Sequence, residues 1–488
     1  MYRRIILVVW LVFIGLSSGA QNLEDLMKSF DDFAQRTDDE FEAFRRRTQK
    51  EFGEFLKQSW QEFELMQGED LLATPEPITP RIAEPETYNS MVRLPDGVET
   101  GRSLSLQQRQ NAPLSKPSNN NPSAKYDDTR VSFFGSSLNL PFDRKFVIRL
   151  RSAREADVGD YWIRLADADF LLLIYSCRLV KEALGLNDWG YYQLVREVAK
   201  SIYPAAAMYN ERTVFMAFIL DETGYDVRIA RNVDNGKLAL MSAFESKVYF
   251  TPFFEASSKR YYIPGENSKG GRIATYRSYA KEEKRRFDLK IDRPLKLKDN
   301  PATFEIADDI MGVPLKITYN RNAIDFYNTI PVTDLDVYFN SRGSAAVLQS
   351  FEEVLKPVVG KMSEKDAATA LLRLMHHAFE YKTDREQFGY ERPFFFEELF
   401  SYPYNNCKDR SVLYAFLIRQ LIGLQVVGLK YTGHVATAVR FNERVNGHYI
   451  SMDGEVYIIC DPTNINAAIG QPMEGYATAR AEMIRIEN

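Results

Sequence analysis

The chain has 488 residues, 45% of them hydrophobic and 13% aromatic, with a formal net charge of −5. This length exceeds one compact domain and the apolar content is enough to build cores, so the chain is globular and multidomain rather than disordered. The acidic balance offers no basic field for a phosphate backbone, which sets nucleic acid aside as a partner.

Met1 to Gln21 reads as a basic start, an apolar run from Ile5 to Leu16 and small residues at Ser18, Gly19 and Ala20. The run is short for a membrane span, so the expectation is a signal peptide over 1–20, cleaved after Ala20, and export to the periplasm or the extracellular space. Three cysteines, Cys177, Cys407 and Cys460, are too few for a disulfide scaffold in an exported protein, and an odd number leaves at least one thiol unpaired.

Over 22–67, aromatic pairs recur every 11 residues: Phe30 and Phe33, Phe41 and Phe44, Phe52 and Phe55, then Phe63 with Met66. Eleven residues over three turns keep such a stripe on one side of a long helix. A helix with one aromatic face cannot bury that face alone, so it should form a homo-oligomer in coiled-coil fashion or fold back on the body. Gly53 is its weak point. The segment 68–128, rich in Pro, Asn and Ser, reads as a disordered linker.

Residues 129–265 predict an α+β domain, with Cys177 a buried structural thiol in an apolar helix. Within it, NERTVFMAFILDETGYDVRIAR (210–231) can be laid beside KDRSVLYAFLIRQLIGLQVVGLK (408–430). Both run from a charged pair ending in Arg through an apolar helix and a Gly to an alternating strand, like two copies of one unit. In the first, Tyr209 stands in the place of Cys407 and no histidine follows; this would make 129–265 a second, degenerate domain of the same fold. The period-two stretches FDLKIDRPLKL, ATFEIA, VPLKITYN and TDLDVYFN predict a small antiparallel β domain over 266–344.

Residues 345–488 turn helical and then carry the chemistry. His376 and His377 are adjacent on a helix, on diverging faces, a spacing unsuited to a metal pair and typical of packing or solvated residues. Cys407 opens an amphipathic helix, where the N-terminal partial charge favours thiolate. His434 lies in an apolar strand after Thr432 and Gly433, and Asp461 ends a later strand before Pro462. The order supplies a nucleophile, a base and an orienter. Cys460 should face away from Asp461 and be buried. Asp409 and Arg410 read as supports of the helix start, and His448, after Asn446 and Gly447, as a solvated turn residue. Neither a metal nor an organic cofactor is called for.

C-x-D-R-S at a helix start, G-H-V in a strand and D-P-T after a strand resemble the transglutaminase-like cysteine superfamily, in particular exported Bacteroidetes-type transglutaminase-like domain proteins. The likeness extends upstream through YKTDREQFGYERPFFFEELFSYP and covers roughly Gln349 to Gly470. It implies a papain-like α+β core, a Cys407–His434–Asp461 triad, and acyl transfer through a thioester on a protein or peptide substrate, cell-wall peptide included. Water as acceptor gives a protease or amidase, and a primary amine gives a cross-link. Asn406 and Lys408 flank the cysteine where the family often has acids, and Gly433 stands where it often has proline. Lys408 should favour thiolate. Oxyanion donors would be the Cys407 N–H and the side chain of Gln387. The alternative expectation is a non-catalytic cell-envelope scaffold built from such domains.

Overall fold

The computed structural model describes residues 42–71, 79–80, 82–84, 92–93, 99–100, 125–265, 271–277 and 284–487. The expected signal peptide, the first half of the aromatic repeat and much of the expected linker fall outside these residues.

The chain is mixed α+β and is built on two antiparallel sheets. The first has the spatial order Gln61–Leu65, Gly271–Thr275, Val227–Asn232, Leu238–Ala243, Lys259–Tyr262, Phe253–Ala256. The second runs Val92–Arg93, His448–Met452, Glu455–Cys460, His434–Arg440, Gln425–Tyr431, Glu482–Arg485, Glu99–Thr100. Its short outer strands pair in parallel and the rest are antiparallel.

One helix precedes and packs on each sheet: Tyr209–Glu222 on the first, Cys407–Leu417 on the second. Numbering the five strands that follow each helix in chain order, both sheets have the spatial order 3-4-2-1-5, with every neighbour antiparallel. The resemblance of segments 210–231 and 408–430 therefore extends to a whole helix-and-sheet unit. The helix starts are also built alike. Glu211 is buried and accepts from the Leu150 N–H, as buried Asp409 accepts from the Phe394 N–H. Arg212 donates to the carbonyls of Tyr203 and Ala205, as Arg410 donates to Asn405 Oδ1 and the Phe379 carbonyl.

One apolar cluster runs from Leu56 to Ile484 and fills the helix-facing side of both sheets. Smaller clusters cover the opposite faces, around Leu429, Tyr431 and Tyr476 on the second sheet and around Ala230, Met241 and Tyr261 on the first.

Three expectations change. The helix expected over 22–67 stops at residue 56, and Gln61–Leu65 is a strand paired with Gly271–Thr275. The Trp60 indole N–H takes the carbonyl of Leu56, closing the last turn. Phe63 continues the 11-residue beat but packs from the strand on Phe254, with ring centroids 4.7 Å apart. The described part of the helix folds back on the body: Phe52 meets Trp162 at 5.1 Å and Tyr276 at 5.8 Å. Gly53 is no defect there, because a Cβ would come within 2.5 Å of Ile163 Cγ1 where this helix crosses Glu155–Ala166 beside Gly159.

The segment 68–128 is not wholly a free spacer. Glu69 is bound by Lys247 and Arg260, Ile82 bridges Ile465, and 92–93 and 99–100 supply the outer strands of the second sheet. A strand begins at Tyr126, within the expected linker.

No separate β domain occupies the described part of 266–344. Gly271–Thr275 belongs to the first sheet, and Pro301–Ile306 pairs with Leu315–Asn320 in a lone hairpin. TDLDVYFN is helical at Leu335–Phe339, where Val337, Tyr338 and Phe339 are all buried. Three consecutive buried residues suit a short helix end, not the alternate burial of a strand. Glu397 fixes this region to the body through the Asn320 N–H, the Tyr327 hydroxyl, and the Ser344 N–H and hydroxyl.

Candidate active site

The helix bearing Cys407 begins in a capping box. Asn406 Oδ1 accepts from the Lys408 N–H, and Asp409 Oδ2 accepts from the Asn406 N–H at 3.0 Å. Asp409 is buried beside Asp384, and these two effects push its carboxyl up to about 7. The Cys407 N–H, first in the helix, has no carbonyl partner within it.

Lys408 is held by two carboxylates. Its Nζ sits 2.6 Å from Asp384 Oδ2 and 3.0 Å from Glu391 Oε2, all three side chains being buried. The expected thiolate-favouring charge is thus already paired with two carboxylates. Asp384 also accepts from Asn406 Nδ2 and the Arg392 N–H, so one carboxylate ties the segment 384–392 to both neighbours of Cys407.

His434 opens its strand after a two-residue turn in which Gly433 has φ +77, and Tyr431 is its cross-strand partner. The strand of His434 and the strand Glu455–Cys460, which stops one residue short of Asp461, are neighbours, with Thr437 opposite Cys460. This brings His434 Nε2 to 2.8 Å from Asp461 Oδ2. Burial alone would lower the His434 pKa, but the Asp461 carboxylate and the Cys407 thiol outweigh it and raise the imidazole to about 10. Burial would likewise raise Asp461. The charge of His434 and the N–H groups of Thr463 and Met473 instead hold that carboxyl below its usual range. His434 Nδ1 is buried with no close hydrogen-bond partner, and the thiol of Cys407 is its electrostatic neighbour.

Cys407 and His434 line one cavity of about 480 Å³. Its walls include Tyr431, Lys430 and Arg480 from the second sheet's side, Leu71 from the N-terminal segment, Tyr249 from the loop between two strands of the first sheet, and Asp334 at the start of the helix Leu335–Phe339. The Tyr249 hydroxyl donates to Asp334 Oδ1 at 2.7 Å. The unit whose helix starts without a cysteine therefore contributes Tyr249 to the cavity of the other. The rings of Tyr476 and Tyr431 lie 4.9 and 6.2 Å from that of His434.

The three expected triad residues are thus brought together. Gln387 lies on the short helix Asp384–Phe388, half-buried, with Oε1 unpartnered, but it is not among the residues lining the cavity. Cys177 and Cys460 are buried and free, and burial pushes both thiols up to about 12. His448 is half-buried at the start of a strand, not in a solvated turn, because its N–H donates to the Gly470 carbonyl at 2.8 Å.

Sequence reasoning missed the buried Lys408–Asp384–Glu391 cluster, the wall around Tyr249 and Asp334, and the contact of His376 with the Asp461 turn. Only the first left a local signal, the Thr383-x-x-Glu386 capping box that places Asp384 at a helix start. Among the described residues no group of three or more His, Cys, Asp or Glu side chains is arranged to hold a metal ion. Comparison with protein-family models, curated proteins and solved structures finds no match to this chain.

Proposed function

We propose that the chain is a cysteine-dependent acyl-transfer enzyme of the transglutaminase-like, papain-like kind, acting on amide bonds of a protein or peptide. One observation carries the reading. His434 is bound through Nε2 to a buried carboxylate, while its Nδ1 has no close hydrogen-bond partner and lies under the electrostatic influence of a thiol in the same cavity.

In this reading the Cys407 thiol passes its proton to His434 Nδ1, and Asp461 stabilises the imidazolium. The sulfur adds to the amide carbonyl carbon. As the resulting oxyanion collapses, the C–N bond breaks and the leaving amine takes the proton from His434. Water or an amine then attacks the thioester with His434 as base and releases the thiol. In this reading the Cys407 N–H, which has no carbonyl partner in the first turn of the helix, donates to the oxyanion. Export, expected from residues 1–20, belongs to the same proposal. No helix among the described residues is long and apolar enough to cross a membrane.

The test is alkylation of the purified protein by iodoacetamide near neutral pH, with the adduct mapped. Cys407 should react faster than a free thiol peptide, and Cys177 and Cys460 should stay protected. A Cys407 no faster than the peptide overturns the reading.

The second reading, a non-catalytic scaffold, is favoured by the first helix-and-sheet unit, which has the topology without the cysteine or the histidine. Binding of a peptide ligand that survives Cys407→Ala, with no amide turnover by the unaltered protein, would select it.

A further inference from the structure

The proposed mechanism leaves one buried titratable side chain beside the triad unused. His376, on the helix Glu364–His377, is 5% exposed and spans the turn that follows Asp461. Its Nε2 lies 3.1 Å from the backbone carbonyl oxygen of Asp461, and its Nδ1 accepts the N–H of Asn466 at 3.2 Å. A nitrogen that accepts an amide proton carries none itself, so the ring proton sits on Nε2 and is donated to the Asp461 carbonyl.

The groups facing this ring are Asp461 on the turn, Arg410 on the helix of Cys407, and His377 on its own helix. Burial first, with Arg410 and His377 adding to it, lowers the pKa of His376 to about 4 against the opposing pull of Asp461. The neutral form that the two hydrogen bonds require is therefore the form present at neutral pH. His377 reaches the same turn, with Nε2 3.0 Å from Asn466 Oδ1, but from an exposed position.

We propose that His376 is a positioning residue for the triad: it clamps both ends of the turn 461–466 and so holds the Asp461 carboxylate against His434. The inference rests on the acyl-transfer reading for its meaning but not for its measurement. The carboxylate's own anchors lie within the same segment: Oδ1 takes the N–H groups of Thr463 and Asn464, and Oδ2 takes that of Met473. They fix the side chain relative to the turn, whereas His376 fixes the turn relative to the helix layer.

Two substitutions separate positioning from mere packing. His376→Leu fills the space but can neither donate nor accept, whereas the amide of His376→Gln can do both. The readouts are the pH profile of iodoacetamide alkylation at Cys407 and the titration of the His434 ring by NMR. Leu should move the His434 titration downward by about one unit, a tenfold change in its protonation equilibrium, and should displace the pH profile of alkylation with it. Gln should restore both to within about twofold of the unaltered protein. Loss of thermal stability in the Leu variant with both readouts unchanged overturns the proposal.

A further measurement uses the unaltered protein, so it stands if the Leu variant does not fold. Nitrogen shifts of His376 should report the Nε2–H tautomer from about pH 5 to 8, well above its lowered pKa, and a proton on Nδ1 overturns the proposal. If Cys407 is inert while the His434 titration still depends on His376, the acyl-transfer reading fails and the positioning role stands.

Discussion

Gly447 and Gly470 meet backbone to backbone: a Cβ on Gly447 would lie 2.3 Å from the Gly470 Cα, and one on Gly470 would lie 2.5 Å from the Gly447 Cα. Both residues have positive φ, +140 and +89, and Gly470 donates its N–H to the Ile459 carbonyl while accepting that of His448. The contact seats the segment after Asp461 against the sheet. Gly470→Ala should cost about 1–3 kcal/mol through overpacking, strain at positive φ adding to it. It should also slow alkylation of Cys407 as the Asp461 turn shifts. Urea unfolding midpoints and alkylation rates check the two effects separately.

The raised pKa of His434 sets a direction for stability against pH. Its folded value of about 10 lies above the ordinary 6.5, so its contribution is complete below about 6.5 and is lost as pH rises through about 10. Asp461 acts at the opposite end. Its depressed pKa contributes above the ordinary carboxylate range and is lost as pH falls through its lower folded value. From about pH 7 to 10, urea midpoints should therefore fall for the unaltered protein and fall less for His434→Gln. Equal slopes would mean that His434 is not held protonated.

Lys408 bridges two buried carboxylates, those of Asp384 and Glu391. Lys408→Met keeps the length of the side chain but removes the cation they share. The expected loss is about 3–5 kcal/mol at neutral pH. Denaturant unfolding at about pH 7, compared with the unaltered protein, measures it.

Tyr209 occupies the place in the first unit that Cys407 occupies in the second, and it is exposed. Its helix faces Leu238, whose N–H is held by Asn210 Oδ1, where the second unit has a histidine. Tyr209→Cys should thus be alkylated only at the rate of an ordinary exposed thiol. Activation at this position would show that the helix start alone, without an imidazole, promotes the thiol.

The triad was legible in the sequence because each residue type announces its chemistry, and because an apolar helix followed by apolar strands fixes which segments can meet. The helix-to-strand match of 210–231 with 408–430 was legible for the same reason. The common strand order was not, since pairings such as Thr437 with Cys460 depend on crossovers that leave no local pattern. Phe63 misled because the aromatic beat carries on past the end of the helix, and periodicity alone does not record that Trp60 has already capped it. His376 was invisible as more than a core histidine, because both its partners lie far along the chain, at Asp461 and Asn466. Gln387 suited an oxyanion donor by residue type, but the segment 384–392 is anchored through Asp384, and it is Glu391 that reaches the cavity wall.

The outer strands of the second sheet bear on how the chain folds. Val92–Arg93 and Glu99–Thr100 are synthesised before either sheet exists, and their partners His448–Tyr449 and Glu482–Met483 follow only after most of the chain. Pairings of such long sequence separation incur their loop-closure entropy before any contact offsets it, so they form slowly. Until they form, both edges of the sheet that carries His434 expose unpaired backbone groups, the condition in which strands recruit foreign partners. The last step of folding thus falls at the two edges of the sheet that carries His434, and a chain caught before that step would be prone to aggregate.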